Sequence, residues 1–285
     1  MKNLGVYIHH QLRDKQKVFD LLRELREDYH YRFIGVMEQR ELLPDFVESH
    51  NLEDPAFPVL DAILVFGGDG TILRAKAIAL ATGAPILGIN LGYLGFLSET
   101  TLSEIQASLQ TLLKGKYKIL KRMLLSCRIK RQGSFIYSNL ALNDAVIYKA
   151  DTPRLITVRI YNNRKFVFET RCDGVIASTP TGSTAYSLAA GGPIMSPEMS
   201  AMVLAPLNPH LLSIRPMVFP AQDELMMRVG NLEQSAWLQV DGINCHSLEE
   251  GDELYITASD RSVSFIKLSN RGFYRILRNK LHLGK

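Results

Sequence analysis

No apolar run in the chain approaches the ~18 residues that a membrane-spanning helix needs, so nothing here reads as a transmembrane segment. Cysteine is scarce. Cys127, Cys172 and Cys245 are far apart and odd in number, which fits free thiols in a reducing compartment and offers no metal-ligand spacing. An excess of one charge is also lacking: 33 Lys and Arg face 29 Asp and Glu, a formal +4. Such a mild surplus helps to draw in anionic substrates but does not argue for nucleic acid. No phosphate loop ending in Gly-Lys-Ser/Thr, no Gly-x-Gly-x-x-Gly fingerprint and no Gly-x-Ser-x-Gly elbow occurs. Apart from the adjacent His9-His10, the histidines form no pair at ligand spacing. Met1-Lys2-Asn3-Leu4 opens a strand rather than a secretion signal, so the expected location is the cytoplasm. What remains is 285 residues, 46% hydrophobic and 22% charged. That suits one large domain or two ordinary ones with a real core.

What the sequence does have is a glycine turn between a strand and a helix. Ala62–Phe66 is short and apolar, the pattern of a buried strand. Gly67-Gly68-Asp69-Gly70 follows, and from Thr71 a helical pattern runs to a plausible cap at Gly83. Strand, glycine turn and helix together bring backbone N–H groups up to phosphate oxygens. Asp69 would then lie at the carboxyl end of a strand, where open α/β sheets bind ligands. A carboxylate repels phosphate, so it needs its own reason to be there. It either binds Mg²⁺ or accepts the proton of a hydroxyl attacking phosphorus; the alternative is a glycine-rich turn with a solvated Asp.

Around that turn strands and helices alternate. Leu4–His9, Tyr31–Met37, Asp61–Phe66 and Ala84–Asn90 are expected strands. Lys15–Tyr29 is an expected helix with Val18, Leu21, Leu22 and Leu25 on its apolar face, and Ser103–Leu113 is another. Glu41–Glu53 reads only as a short helix and loop. Alternation of this kind implies a parallel sheet covered on both faces. Near Lys114-Gly115-Lys116 the pattern changes. From there to about Ile266 the segments are short, alternating and turn-separated, as in Leu124–Arg131, Phe135–Ala141, Leu155–Tyr161 and Gly174–Ser178. They predict an all-β domain of two packed sheets, with Asn162-Asn163-Arg164-Lys165 as a hairpin turn. The predicted organisation is a Rossmann-like α/β domain, residues 1–116, to which 267–285 returns as a helix over Phe273–Leu281. The β-sandwich-like domain is predicted over 117–266.

In the second domain, Asn143-Asp144 supplies an amide beside a carboxylate suited to a ribose hydroxyl, or is simply a turn. Arg171 and Asp173 suit a phosphate and an adenine or ribose group, or form a surface ion pair. The stretch from Thr179 to Pro193 is dense in small hydroxyls and backbone N–H groups, with two helical turns expected over Ser183–Ala190. That suits phosphate or ribose, with Tyr186 offering a ring or hydroxyl; a Ser/Thr loop with a helix N-cap is the plainer reading. Asn90 ends its strand where a side chain can reach the same crevice as Asp69.

These blocks, in this order, resemble the NAD kinase family of bacterial type. The resemblance rests on Gly67-Gly68-Asp69-Gly70-Thr71, on Asn90-Leu91-Gly92-Tyr93-Leu94-Gly95-Phe96-Leu97, on Leu142-Asn143-Asp144, and on Asp173-Gly174 through Thr179–Ser187 to Gly191-Gly192-Pro193. Pro209-His210 with Arg215-Pro216 adds to it. It implies phosphorylation of the 2′-hydroxyl of the adenosine ribose of NAD, with ATP and a divalent metal cation, Mg²⁺, bound with ATP. It implies Asp69 as proton acceptor, with Gly70 and Arg74 at the phosphate and dinucleotide site. It implies Asn143, Asp144, Asp173, Thr184, Ala185, Tyr186, Ser187, Leu188 and Ala189 as dinucleotide-binding, with Arg154 and Arg171 at contacting positions. A homo-oligomer, dimer or tetramer, is the family habit. The first block alone is shared with lipid kinases of diacylglycerol type, and a non-catalytic NAD sensor would keep the same loops. This chain departs from the family pattern at Asp144, usually Glu; at Ile243, usually Gln; and at Asn208, usually a cysteine or similar residue.

Overall fold

The computed structural model describes residues 2–12, 15–92, 95–150, 154–230 and 236–283. Tyr93 and Leu94 of the second glycine-studded loop lie outside them. The chain divides into one unit of residues 1–121 with 263–285 and another of 122–262.

The first unit begins with β1 (Asn3–Ile8), α1 (Lys15–Tyr29), β2 (Arg32–Val36), a short β3 (Glu48–His50) and β4 (Ala62–Phe66). It continues with α2 (Asp69–Thr82), β5 (Ile86–Asn90), a two-residue β6 (Thr100–Thr101) and α3 (Ile105–Leu113). The sheet order is β3-β2-β1-β4-β5, and all its pairs are parallel. β1, β4 and β5 are buried almost throughout, as strands covered on both faces must be. The four predicted apolar residues of α1 are the four that it buries, against Leu4, Val6 and Phe33 of the sheet. The region from Glu41 to Glu53 forms β3 and no helix; the only helical turn nearby is the 3-10 turn Met37–Gln39.

The second unit is built from antiparallel hairpins. Its strands are β7 (Lys118–Arg131), β8 (Ser134–Ala141), β9 (Asp144–Lys149), β10 (Ile156–Asn162), β11 (Lys165–Cys172) and β12 (Gly174–Ser178). After the one-turn α4 (Tyr186–Ala189) come β13 (Ala201–Leu207), β14 (Met217–Pro220), β15 (Leu225–Val229), β16 (Ala236–Val240), β17 (Ile243–Leu248) and β18 (Glu253–Lys267). One sheet runs β11-β10-β15-β18, with β7 and β8 continuing from β18; the other runs β14-β13-β12-β9-β16-β17. Alternate residues of both sheets share one core, among them Cys127, Ile147, Val158, Val175, Leu204, Met227 and Leu238. This is the sandwich of two sheets predicted from the alternation. The turn Asn163-Arg164 has φ of 49° and 65°, the conformation that two-residue hairpin loops require. Strands β13, β14 and β17 carry no clean alternation, so the sequence pattern does not predict them. β13 is buried along nearly its whole length, so its pattern is a continuous apolar run.

β18 extends to Lys267, and its Phe265 pairs in parallel with Ile86 of β5 in the first unit's sheet. The tail ends in α5 (Phe273–Leu281), with the bounds expected, in the first unit. Buried Glu99 ties down the segment before it. Glu99 pairs with Lys267 at 2.6 Å and accepts the N–H groups of Leu268 and Ser269 at 3.0 and 2.6 Å.

Candidate functional site

In the first unit the helix starts earlier than the sequence indicated. α2 begins at Asp69, with Gly68 extended at its N-cap. Asp69 and Gly70 are thus in the first turn, where N–H groups lack intrahelical acceptors and a negative charge is favoured. Both Asp69 oxygens are held: Phe96 N–H donates to one at 2.8 Å and Leu97 N–H to the other at 3.1 Å. Gly95 makes that grip possible, because a Cβ there would overlap Asp69 Oδ1. A carboxylate offers about four lone-pair directions, so acceptor capacity is left for an incoming hydroxyl. The glycine-studded spelling of this loop was the sequence signal; its use as a clamp was not legible, because the partner lies 27 residues away. Gly70 and Arg74 are exposed on the same helix. Beside the turn is a cavity of about 300 Å³, lined by His9, Gln11, Gly67, Gly68, Asn90 and Leu91 among others. It lies at the carboxyl ends of β1, β4 and β5.

In the second unit the Asn143-Asp144 dipeptide opens β9. It is braced by Asp241, at the tip of the β16–β17 hairpin, where Asp241 and Gly242 both have positive φ. Asp241 accepts the N–H groups of Leu142, Asn143 and Asp144 at 2.9, 2.7 and 3.2 Å. Asp144 itself is only 4% exposed. Burial, and secondarily the Asp241 charge, push its carboxyl up to about 7. No sequence pattern joins residues 97 positions apart, so this bracing role of Asp241 had no local signal.

The threonine-rich loop folds against that dipeptide. Thr179 N–H and Ser178 Oγ donate to Asn143 O at 2.8 and 3.1 Å, and Thr179 Oγ1 donates to Leu142 O at 2.6 Å. Gly182 packs so closely that a Cβ would overlap Asn143 O. Two helical turns over Ser183–Ala190 do not form. A 3-10 turn, Gly182–Thr184, and α4 are separated at Ala185, whose φ of −102° and ψ of −130° break the helix. The Ser183 hydroxyl is used internally, donating to Pro180 O at 2.7 Å and accepting from Met195 N–H at 3.0 Å. By contrast, the buried Thr181 and Ser187 hydroxyls have no hydrogen-bond partner among the described residues. Tyr186 and Ala189 are exposed, and Thr184, Ala185 and Leu188 are half-buried.

Asp173 pairs with Lys149 at 2.7 Å rather than with Arg171, and also accepts from Asn208 Nδ2 at 2.7 Å. The Lys149 ammonium holds its carboxyl below the usual range. Arg171 is exposed on β11, and its carbonyl accepts His210 N–H at 2.8 Å. Arg154 is exposed just ahead of β10.

Two family models match the chain: the ATP-NAD kinase N-terminal domain over residues 24–117 and the ATP-NAD kinase C-terminal domain over residues 142–268. NAD kinase of Carboxydothermus hydrogenoformans is 36% identical over 280 residues, 98% of this chain and 96% of that protein. The chain belongs to the NAD kinase family. NAD kinase of Heliobacterium modesticaldum is 42% identical over 226 residues, 79% of this chain and 80% of that protein. A crystal structure of yeast NADH kinase complexed with NADH superposes with a TM-score of 0.90 at 26% identity, covering 100% of this chain and 88% of that one. NAD kinase from Archaeoglobus fulgidus in complex with ATP shares the fold, with a TM-score of 0.72 at 24% identity over 98% of both chains.

Membership settles what the glycine turn alone left open: the protein is an NAD kinase-type phosphotransferase, not a lipid kinase. Asp69, Gly70 and Arg74 fall within the N-terminal family domain, and Asn143 through Ala189 within the C-terminal one. Among the described residues no helix is long and apolar enough to cross a membrane.

Proposed function

We propose that the protein transfers the terminal phosphoryl group of ATP to the 2′-hydroxyl of the adenosine ribose of NAD, with Asp69 as the general base. The observation that carries this reading is the grip on Asp69. Two backbone N–H groups fix its carboxylate at the first turn of α2, so its direction costs no reorganisation during reaction. Asp69 accepts the hydroxyl proton as the ribose oxygen bonds to the terminal phosphorus and the bond to ADP breaks. Carboxylates are weak bases, so most of the acceleration comes from alignment and charge neutralisation.

No group of three or more His, Cys, Asp or Glu able to hold a metal occurs among the described residues. Mg²⁺ binds through one or two carboxylates plus substrate phosphates rather than in an all-protein cage, so in this reading it would arrive with ATP. Asp69, in the first turn of α2, would face the ion, which would supply charge neutralisation at the phosphoryl oxygens. Gly70 and Arg74 serve the phosphates. Asn143, Asp144, Asp173 and the run Thr184–Ala189 bind the dinucleotide, with Arg154 and Arg171 beside them. The unpartnered Thr181 and Ser187 hydroxyls support a polar ligand at that loop. A cytoplasmic location agrees with three free thiols, and a homo-oligomer, dimer or tetramer, with the family resemblance.

The test is NADP formation from NAD, ATP and Mg²⁺. Asp69→Asn is expected to lower turnover by roughly 10²–10⁴ while calorimetry still detects NAD binding. Unchanged turnover refutes the base. Tight NAD binding by the wild type without any NADP formation would instead identify a sensor.

A further inference from the structure

The two amides that hold Asp69 belong to a turn, residues 95–97, between β5 and β6. Beyond the turn the chain is fixed to β5. Ser98 is buried, and its hydroxyl accepts Gly95 N–H at 2.6 Å. Glu99 N–H donates to Gly88 O of β5 at 2.9 Å, and Thr100 pairs with Ile89. Phe96 is half-buried. Among the described residues its ring meets one other ring, that of Phe273 at the start of α5, with centroids 6.4 Å apart and planes tilted by 46°. That separation is within the range of a favourable aromatic pair.

The Phe273 contact is the last of a series between this segment and the returning tail, all within the first unit. Glu99 takes Lys267 and the amides of Leu268 and Ser269. Glu104 pairs with Arg271 at 2.5 Å, and the guanidinium holds that carboxyl below the usual range. Phe96 then meets Phe273. The tail is thus tied to the very segment whose first residues grip Asp69. α5 has little else to anchor it. It fully buries only Leu277, while Tyr274, Arg275, Arg278 and Lys280 are exposed. A nine-residue helix is marginal by itself, so its position depends on these contacts.

We propose that Phe273 is a positioning residue for phosphoryl transfer: its ring, brought back by the tail, holds Phe96 so that the Phe96 and Leu97 amides keep the Asp69 carboxylate aligned. The part played by Asp69 as base rests on the kinase reading above; the tie between tail and turn rests on the contacts alone. A misdirected base costs rate rather than substrate affinity.

The test compares Phe273→Ala and Phe273→Tyr with the wild type, and repeats Phe273→Ala on top of Asp69→Asn. Expected for Phe273→Ala is a kcat lowered about 10–100-fold, the cost of misplacing a reacting group from a distance, with both KM values within about threefold of the wild type. Phe273→Tyr keeps the ring and should retain most of the turnover. In the Asp69→Asn background Phe273→Ala should cost less than about twofold, because residues that act through one group are not additive. The full loss in that background would overturn the assignment, as would a raised KM with kcat unmoved. Amide hydrogen exchange at Phe96 and Leu97 should be at least about tenfold faster in Phe273→Ala; unchanged exchange would overturn the tie itself. Exchange requires no turnover, so it reads the tie even if the wild type formed no NADP. Should Phe273→Ala fail to fold, Phe273→Leu, apolar but without a ring, takes its place in every comparison.

Discussion

Replacing Asp144 by Asn should make the protein more stable in alkaline solution and leave its stability at low pH nearly unchanged. Asp144 is 4% exposed at the start of β9, and its carboxyl titrates near 7 in the fold against 3.8 for an ordinary Asp. The unfolded chain therefore releases the proton near pH 4, while the folded chain keeps it to about pH 7. Between those values the folded state holds one more proton, so rising pH favours unfolding; the loss is complete once pH exceeds about 7. The interval corresponds to about 4 kcal/mol at 1.36 kcal/mol per pH unit, of which roughly 3 kcal/mol falls between pH 5 and pH 8.5. Asn has nearly the same shape and carries no charge at any pH, so that slope should vanish. Urea unfolding of both proteins without nucleotide, at pH 5 and pH 8.5, measures it. The variant's advantage should widen by about 3 kcal/mol across that range. An advantage that is constant or shrinks with pH would refute the argument that burial beside Asp241 raises this carboxyl.

Three further substitutions test the local packing. Gly182→Ala puts a methyl into the Asn143 carbonyl, which is backbone and cannot swing aside; about 1–3 kcal/mol of destabilisation and weaker NAD binding should appear in urea melts and calorimetry. Gly95→Ala places its methyl on Asp69 Oδ1, so NADP formation should fall at least tenfold while the urea midpoint moves little; full activity would show that the clamp is not required. Glu99→Ala strands Lys267 and two amide donors, and should cost about 3 kcal/mol, the lower end for breaking a buried pair, measured by urea unfolding.

Local rules carried most of the fold. Helix α1 was legible residue by residue because one face repeats at 3.6, and the hairpin at Asn163-Arg164 because Asn tolerates positive φ. The sequence pattern places the helix after the glycine turn two residues late, because the Gly68 N-cap has no side-chain signature. The break at Ala185 has no sequence signal, because nothing in an alanine marks a change of backbone direction. β13 lacked alternation because both its faces are buried.

The sequence by itself determined the strand–glycine turn–helix unit, the division into an α/β and an all-β part, the blocks that resemble the NAD kinase family, and the candidate status of Asp69 and Asp144. Each is written in neighbouring residues, where periodicity and turn chemistry operate. Tertiary structure alone decided that Phe96 and Leu97 hold Asp69, that Asp241 braces Leu142–Asp144, that Lys149 takes Asp173, and that His9 shares a cavity with Gly67 and Asn90. Those contacts join residues far apart in the chain, and hydrogen-bond geometry and burial come into being only when the sheets have formed.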